Sequence, residues 1–150
     1  MSHVLDDVDR AILGALRRDA RASINVIAQQ AAVSRANAYA RIKRLTDSGV
    51  ITGYRVQTDP VSEGFHASAY VALWVDQTKW QELRSGLIAM PAIEHVALVG
   101  GEFDVLVLVR ARDNRDLRRI VLEQIQALAG VKTTRTFLVF EDWDAHLPES

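Results

Sequence analysis

Apolar residues in the first fifty positions recur at spacings of three and four residues, which is the period of an amphipathic helix. They form three short segments, and each segment follows a residue whose side chain commonly caps a helix. These capping residues are Asp6, Ser23 and Ser34. The third segment runs to about Ser48, where Gly49 fits a C-terminal cap. The chain therefore begins with three short predicted helices.

The third predicted helix has an apolar face and a basic face. Ala38, Ile42 and Leu45 form its buried side. Residues 35–44 carry four cations and no acid. A short helix, a tight turn and a second helix with an exposed basic face are typical of a helix-turn-helix, whose second helix enters the major groove of DNA. Alternating residues over 50–56 add a predicted strand or small wing, so this half is predicted to be a winged helix-turn-helix.

Side-chain chemistry indicates which residues of this half could contact DNA. Asn37 can pair with adenine, and Arg41 and Arg44 can bind guanine or phosphate. Lys43 is a point charge that fits a phosphate, and Tyr39 fits either the DNA backbone or packing. The candidate DNA-binding residues are Ser23, Ser34, Arg35, Asn37, Tyr39, Arg41, Lys43 and Arg44. The alternative is a small helical bundle with a solvated basic face.

The second half of the chain alternates predicted strands and helices. The predicted strands are 66–76, 93–99, 103–111 and 131–141, and the predicted helices are 78–90 and 114–128. Thr78 is the predicted cap of the first of these helices, and Pro91 ends it. The order βαββαβ is the ferredoxin-like arrangement, an α+β fold. Its helices cover one face of the sheet, so the apolar residues on both faces predict a second covering layer, most simply another subunit.

Composition and charge narrow the function. The chain has 150 residues, 49% of them hydrophobic, and no cysteine, which excludes disulfides and thiol chemistry. Its net charge of -1 conceals a net +3 over residues 1–60 and a net -4 over residues 61–150. This asymmetry suggests that the first half faces a polyanion. We predict a DNA-binding domain over 1–60 and an oligomerisation domain over 61–150.

No catalytic residue, metal site or cofactor is predicted. The four histidines lack the spacing of metal ligands, and there is no dinucleotide-binding, phosphate-loop or serine-hydrolase motif. The N-terminus lacks the apolar run of a signal peptide, and no segment reaches membrane-spanning length, so we expect a cytoplasmic protein without a membrane partner. Two alternatives to a DNA-binding regulator stay open: a protein-binding scaffold and a small enzyme built on the ferredoxin-like sheet.

Several segments of the sequence, in order along the chain, are similar to segments of a known protein family. They are residues 5–13 with 19–21, residues 41–45 with 48–54, the turn 101–104, and residues 130–131 with 134–136. In this order and spacing the chain resembles the leucine-responsive regulatory protein/AsnC family of feast/famine transcription regulators. The resemblance covers nearly the whole sequence.

The resemblance implies double-stranded DNA as a partner, nucleoid association, dimers formed through the sheet domain, and larger rings that are often octamers. It also implies a small effector, usually an amino acid, bound between the sheet domains of neighbouring dimers, so residues 61–150 are expected to form an effector-binding as well as an oligomerisation domain. The implied effector-binding residues are Gly100, Gly101, Glu102, Phe103, Asp104, Thr134 and Thr136. Glycine N–H groups can approach a carboxylate, and an acidic side chain can bind an ammonium group.

Three positions depart from the family pattern. Ala32 stands where the turn between the DNA-binding helices usually has glycine, and it costs about 1 kcal/mol if this position has positive φ. Ala40 stands where many members have arginine, and Val26 where an acid is common. We therefore do not expect the family's operator preferences to apply to this chain.

Overall fold

The computed structural model describes residues 4–143, and the chain divides into two compact units. Residues 4–56 form the helical unit, with which Trp143 is grouped, and residues 57–142 form the sheet unit. The division lies between Val56 and Gln57, whereas the sequence-based boundary was drawn after Pro60.

Three helices build the helical unit. They are α1 (Asp7–Arg18), α2 (Ile24–Gln30) and α3 (Arg35–Asp47). Each begins after its predicted cap, because the side chains of Asp6, Ser23 and Ser34 accept hydrogen bonds from backbone N–H groups of the first turn. The helices pack around a small apolar core of Ile12, Ala15, Ile27, Ala31 and Leu45. The predicted helix-turn-helix is confirmed.

The turn between α2 and α3 is a Schellman motif. The N–H of Val33 donates to the carbonyl of Ala28 at 3.0 Å, and the N–H of Ala32 donates to the carbonyl of Gln29 at 3.2 Å. The motif requires a left-handed residue, and Ala32 takes that conformation with φ of 54°. Within residues 4–143 it is the one non-glycine residue with positive φ.

The predicted strand over residues 50–56 is wrong. These residues form no strand, and no other segment of the helical unit is a strand with which they could pair. Val50 and Ile51 instead pack against the helical core, and the N–H of Ile51 donates to the carbonyl of Leu45 at 3.0 Å. The alternation of apolar and polar residues arises here because the side chains of Val50 and Ile51 cover the C-terminal end of α3.

The sheet unit has the predicted βαββαβ order. Its elements are β1 (Ala67–Val75), α4 (Trp80–Ile88), β2 (Ile93–Leu98), β3 (Val105–Ala111), α5 (Asn114–Arg119) and β4 (Val131–Val139). The strands lie in the order β2-β3-β1-β4, and all neighbours are antiparallel. The ferredoxin-like prediction is confirmed.

Both helices of the sheet unit differ in detail from the prediction. A 3₁₀ turn over Gln77–Lys79 precedes α4, and Asp76 caps it by accepting from the N–H and hydroxyl of Thr78, so the prediction of Thr78 as the cap was wrong. After α5 the chain continues as a π-helical segment, Ile120–Ile125. Its wider hydrogen bonding appears where the N–H of Gln126 donates to the carbonyl of Val121 at 3.0 Å.

The helices cover one face of the sheet. Alternate residues of β1, namely Ala69, Val71 and Leu73, pack against Leu83 and Leu87 of α4. The intervening residues of β1 lie on the opposite, outer face of the sheet. The outer face presents Tyr70, Trp74, Leu106, Leu108, Arg110, Arg135 and Phe137.

The described part of the chain contains no helix that could cross a membrane. Among the same residues, no group of three or more histidine, aspartate or glutamate side chains is arranged to hold a metal ion.

Candidate nucleic-acid interface and effector turn

The exposed face of α3 has small residues at its centre and polar residues at its sides. Ala36 and Ala40 are exposed, and they lie opposite the buried Ala38 and Leu45. Tyr39 is 67% exposed. A helix with small side chains on its outer face can approach the floor of a groove closely, and alanine methyl groups suit contact with thymine methyl groups.

Arg35 occupies the first position of α3 and is exposed. Its guanidinium makes no hydrogen bond or ion pair with any residue in the range 4–143. The other three cations of α3 all have carboxylate partners. Arg35 is therefore the cation of α3 with its full donor set available to a ligand.

Two arginines of α3 bind the N-terminus of α1. Arg41 Nη1 donates to Asp9 Oδ1 at 2.8 Å, and Arg44 Nη2 donates to the same oxygen at 2.6 Å. Asp9 is only 1% exposed, so two charge-assisted bonds compensate a buried carboxylate. We call Asp6, Asp9, Arg41 and Arg44 the carboxylate clamp.

Asp6 completes the carboxylate clamp from a more exposed position. Arg41 Nη1 donates to Asp6 Oδ1 at 2.8 Å and to Oδ2 at 2.7 Å. The N–H of Asp9 also donates to Asp6 Oδ1 at 2.7 Å, in a capping box at the start of α1. The bond from Arg41, and then the bond from this N–H, lower the pKa of Asp6 to about 2, and Asp6 and Asp9 raise the pKa of Arg41.

Asn37 is connected to the carboxylate clamp through Arg41. Arg41 Nε donates to Asn37 Oδ1 at 2.8 Å, one helical turn away on α3. This bond fixes which end of the Asn37 amide faces the arginine, so its Nδ2 group points elsewhere. Bidentate pairing with adenine uses both ends of the amide, so Asn37 Oδ1 would accept from adenine with its second lone pair while it also accepts from Arg41.

Three other candidate DNA-binding residues, Lys43, Ser34 and Ser23, bond to neighbours within the helical unit. Lys43 Nζ lies 2.5 Å from Asp47 Oδ2 on the exposed surface, and this bond raises the pKa of Lys43. Ser34 Oγ accepts from the N–H of Asn37 at 3.1 Å, and Ser23 Oγ accepts from the N–H of Val26 at 3.4 Å. Both hydroxyl groups therefore cap helices.

The turn between β2 and β3 exposes the first three predicted effector residues. Gly100, Gly101 and Glu102 are exposed, and Gly101 has φ of 140° with open space around its Cα. A side chain at Gly101 would be strained by this backbone conformation even though nothing crowds it. The turn is therefore accessible, and its backbone conformation at Gly101 favours glycine.

Asp104 anchors this turn. Its Oδ2 accepts from the N–H of Val75 at 2.8 Å, and its Oδ1 accepts from Gln77 Nε2 at 3.2 Å. These two bonds, the Val75 bond first, lower the pKa of Asp104. Both carboxylate oxygens thus serve the protein's own structure.

An aromatic and charged cluster lies beside the turn. The Phe103 ring meets the edge of Trp74 at 6.0 Å between centroids, and the Arg135 guanidinium lies 5.6 Å from the centre of the Trp74 ring. Arg135 Nη1 is also 3.6 Å from Glu102 Oε1. A carboxylate and a guanidinium therefore stand side by side at an exposed position.

The two threonines of β4 do not join this cluster. Thr134 and Thr136 pair with Leu73 and Val71, so they lie on the helix-covered side of the sheet, opposite to Arg135. The hydroxyl of Thr134 accepts from Gln126 Nε2 at 2.8 Å. The two predicted effector residues on β4 are therefore separated by the sheet from the cluster beside the turn.

Sequence reasoning missed the acidic half of the carboxylate clamp and the partners of Glu102. Asp9 precedes Ile12 and Leu16 at the spacing of the apolar face of α1, and a carboxylate at such a position needs a cationic partner. The position of Asp9 on the apolar face of α1 was therefore the signal in the sequence from which the carboxylate clamp could have been predicted. The contacts among Trp74, Phe103 and Arg135 join β1, the turn and β4, and spacing along the sequence gives no signal for them.

Two family models match the chain. One, described as Lrp/AsnC ligand binding domain, matches residues 68–147, and the other, described as winged helix-turn-helix DNA-binding, matches residues 5–52. The chain is 33% identical over 140 residues to the HTH-type transcriptional regulator AldR of Mycolicibacterium smegmatis, covering 91% of this chain and 82% of the relative. It is 30% identical over 144 residues to the proline dehydrogenase transcriptional activator of Rhodobacter capsulatus, covering 94% of each.

Solved structures have the same architecture. A feast or famine regulatory protein of Mycobacterium tuberculosis, complexed with L-methionine, superposes with a TM-score of 0.86 at 29% identity, covering 95% of this chain and 96% of that one. AsnC of E. coli superposes with a TM-score of 0.82 at 22% identity, covering 93% and 95%. The matched family is regulatory and not enzymatic. The chain belongs to the Lrp/AsnC family and is a helix-turn-helix transcriptional regulator.

Proposed function

We propose that α3 reads DNA mainly through its N-terminal half, with Arg35 as the principal base-reading cation. The observation that carries the proposal is that Arg35 is the cation of α3 without a partner among the described residues. The N-terminal residues of a recognition helix are those that contact base edges, and a guanidinium binds guanine in a bidentate manner. Arg41 and Arg44, which sequence reasoning favoured, are engaged by carboxylates.

The other candidates take supporting roles in this proposal. Asn37 offers its Nδ2 group to a base edge, and the exposed hydroxyl of Tyr39 suits a phosphate oxygen. Lys43 is exposed and paired only with an exposed acid on its own helix, so a phosphate can replace that partner at small cost. Ser23 and Ser34 support the interface by capping α2 and α3.

The test is binding to a duplex that the protein itself selects from a randomised pool and to a scrambled duplex of equal composition. We expect Arg35→Ala to weaken binding to the selected duplex by about 1 to 3 kcal/mol, roughly fivefold to 150-fold, with a smaller loss on the scrambled one. Arg17→Ala is the matched control, because Arg17 is an exposed arginine in the last turn of α1. Equal losses on both duplexes would reduce Arg35 to a phosphate contact, and failure of the wild type to select any sequence would overturn the proposed role of α3.

We further propose that the effector is an amino acid bound at the exposed turn, with Glu102 receiving its ammonium group and Arg135 its carboxylate. The support is that these opposite charges lie side by side, 3.6 Å apart, next to an open glycine pair. The relative of known structure complexed with L-methionine favours the same ligand class. Asp104 and Phe103 hold the turn in place, whereas Thr134 lies on the opposite face of the sheet.

Thermal unfolding with each amino acid in turn tests this site, with L-methionine as the first probe. A ligand present at a hundred times its dissociation constant should stabilise the fold by about 2.7 kcal/mol. Glu102→Gln should abolish the shift, whereas Glu82→Gln, an exposed acid on α4, should retain it. No shift with any amino acid would remove the effector proposal.

Self-association is the remaining part of the proposed function. Tyr70 and Phe137 are 37% and 47% exposed on the outer face of the sheet, where a second copy would cover them. A symmetric dimer would present two α3 helices to two half-sites of one duplex, and dimers would assemble into a ring such as an octamer. A regulator of this kind would act on the cytoplasmic nucleoid. Sedimentation equilibrium should give a mass of at least two chains, and a monomer at all concentrations would refute the proposed self-association.

A further inference from the structure

Asp6 lies outside the recognition helix, yet it contacts the helix more closely than its role as a cap requires. One Asp6 oxygen already accepts from the N–H of Asp9 and satisfies the capping geometry. Both oxygens nevertheless accept from Arg41 Nη1, at 2.8 and 2.7 Å. The Asp6 side chain remains 53% exposed, so it holds Arg41 from the solvent side.

Arg41 is a long cation at the flank of the exposed face of α3. Its side chain is only 21% exposed because it lies against Asp6 and Asp9. Without these partners, its guanidinium would have the reach and the charge to bind a DNA phosphate, which carries no sequence information. In its present position it instead donates Nε to Asn37 and sets the orientation of that amide.

We propose that Asp6 is a positioning residue that sharpens sequence discrimination, because it keeps Arg41 bonded to Asn37 and away from the DNA backbone. The proposal rests on the proposed DNA-reading function of α3. Loss of the Asp6 carboxylate leaves Arg41 held by Asp9 and Asn37 alone, so its guanidinium exchanges these partners for a phosphate on any sequence more readily. Non-specific affinity then rises, and the ratio of specific to non-specific affinity falls.

Asp6 is also the member of the carboxylate clamp that can be changed without removing the fold. Asp9 is buried and compensates two arginines, whereas Asp6 is half exposed. Asparagine is as good an N-cap as aspartate, so Asp6→Asn keeps an oxygen for the N–H of Asp9. The substitution removes the charge that holds Arg41 while retaining the start of α1.

The experiment measures binding of full-length Asp6→Asn to the selected and scrambled duplexes over a series of salt concentrations. One additional phosphate contact steepens the dependence of log affinity on log salt by about 0.9. We expect this steeper slope on the scrambled duplex, a several-fold gain in affinity for it at low salt, and a lower selected-to-scrambled ratio. Circular dichroism verifies that the variant is folded, and Asp6→Ser, which also retains a cap, replaces it if it is not.

Two controls separate this mechanism from a general change in charge. Asp7→Asn removes the next acid, which is fully exposed and paired only with Arg10, and it should leave slope and ratio as in the wild type. In an Arg41→Gln background, Asp6→Asn should have no further effect, because the cation that it would release is absent. An Asp6→Asn variant indistinguishable from Asp7→Asn, or one whose effect persists without Arg41, would overturn the positioning role.

The same data distinguish the two proposals. If the wild type prefers no duplex, the DNA-reading function of α3 fails, and the inference fails with it. If the wild type discriminates and Asp6→Asn discriminates equally well with the same slope, the function stands and only the role of Asp6 is wrong.

Discussion

The helical unit and the sheet unit hold their candidate binding residues in different ways. In the helical unit, side-chain charges fix two arginines of α3, Arg41 and Arg44, against Asp6 and Asp9. In the sheet unit, backbone bonds fix the turn between β2 and β3: the N–H of Asp104 donates to the carbonyl of Leu73 at 3.0 Å, and the N–H of Val99 donates to the carbonyl of Asp104 at 2.9 Å. A polyanion competes directly for the arginines of a charge pair, whereas no ligand of that kind competes for the backbone bonds of a turn.

The cores of the two units also differ in whether a charged side chain is buried in them. The core of the sheet unit is entirely apolar, while the helical unit buries the charged Asp9 within its small core. A buried carboxylate is tolerated only while its cationic partners stay in place, so the orientation of α3 depends on the carboxylate clamp. The helical unit is therefore the one in which a single charge change should affect both stability and binding.

The largest expected effect comes from removing the buried acid. Asp9→Ala leaves Arg41 and Arg44 without their shared partner, and we expect it to lower the free energy of unfolding of the helical unit by about 3 kcal/mol. Circular dichroism should report this loss during urea unfolding. In a Trp143→Phe background, the fluorescence of Trp74 and Trp80, which both lie in the sheet unit, should report a transition that is nearly unchanged.

Asp7→Ala is the matched control for this prediction. Asp7 is the exposed neighbour in the same turn, and its ion pair with Arg10 lies on the surface, so its loss should change stability by less than about 1 kcal/mol. If Asp9→Ala and Asp7→Ala behave alike, the carboxylate clamp does not stabilise the helical unit and the contrast between the two units disappears.

A smaller effect is expected at the turn between α2 and α3. Ala32 holds φ of 54°, which an L side chain adopts at a cost, so Ala32→Gly should stabilise the helical unit by up to about 1 kcal/mol. Ala36→Gly, at an exposed helical position, should instead destabilise it by about 1 kcal/mol. Urea unfolding followed by circular dichroism measures both, and destabilisation by Ala32→Gly would show that the strain is absent.

The smallest effect is the pH dependence contributed by Asp6. Its pKa is lowered from 3.8 to about 2 in the folded protein, so its carboxylate stabilises the fold above its ordinary pKa and loses that contribution as pH falls through the folded value. The difference in unfolding midpoint between wild type and Asp6→Asn should therefore be constant above about pH 5 and should shrink towards pH 2. A difference that stays constant throughout would mean that Asp6 has no charged partner in solution.

The sequence predicted the elements that depend on local patterns and missed the contacts that join distant segments. The three N-caps of the helical unit and the βαββαβ order of the sheet unit follow from spacing and side-chain type, and the structure confirms them. The strand over residues 50–56 failed because alternation alone does not supply a pairing partner. Thr78 failed as a cap because Asp76, two residues earlier, is the stronger acceptor.

For the candidate DNA-binding site, the sequence identified the exposed face of α3 but overestimated how many of its cations lack a carboxylate partner. Residues 35–44 suggested four available cations, yet three of them have carboxylate partners, two through acids on α1 more than thirty positions away. Such pairs depend on how α1 packs on α3, which residue types alone do not specify. The cluster of Glu102, Phe103, Trp74 and Arg135 was missed for the same reason.

The position of Trp74 gives this protein an optical property. An indole that is stacked under a guanidinium, and touches an aromatic ring of the exposed turn, emits at a wavelength that depends on the local field of both neighbours. The chain has three tryptophans, so replacing Trp80 and Trp143 with phenylalanine leaves Trp74 as the sole indole emitter. Occupancy of the turn can then be followed by the emission of an unlabelled protein, at concentrations and speeds that suit rapid-mixing kinetics.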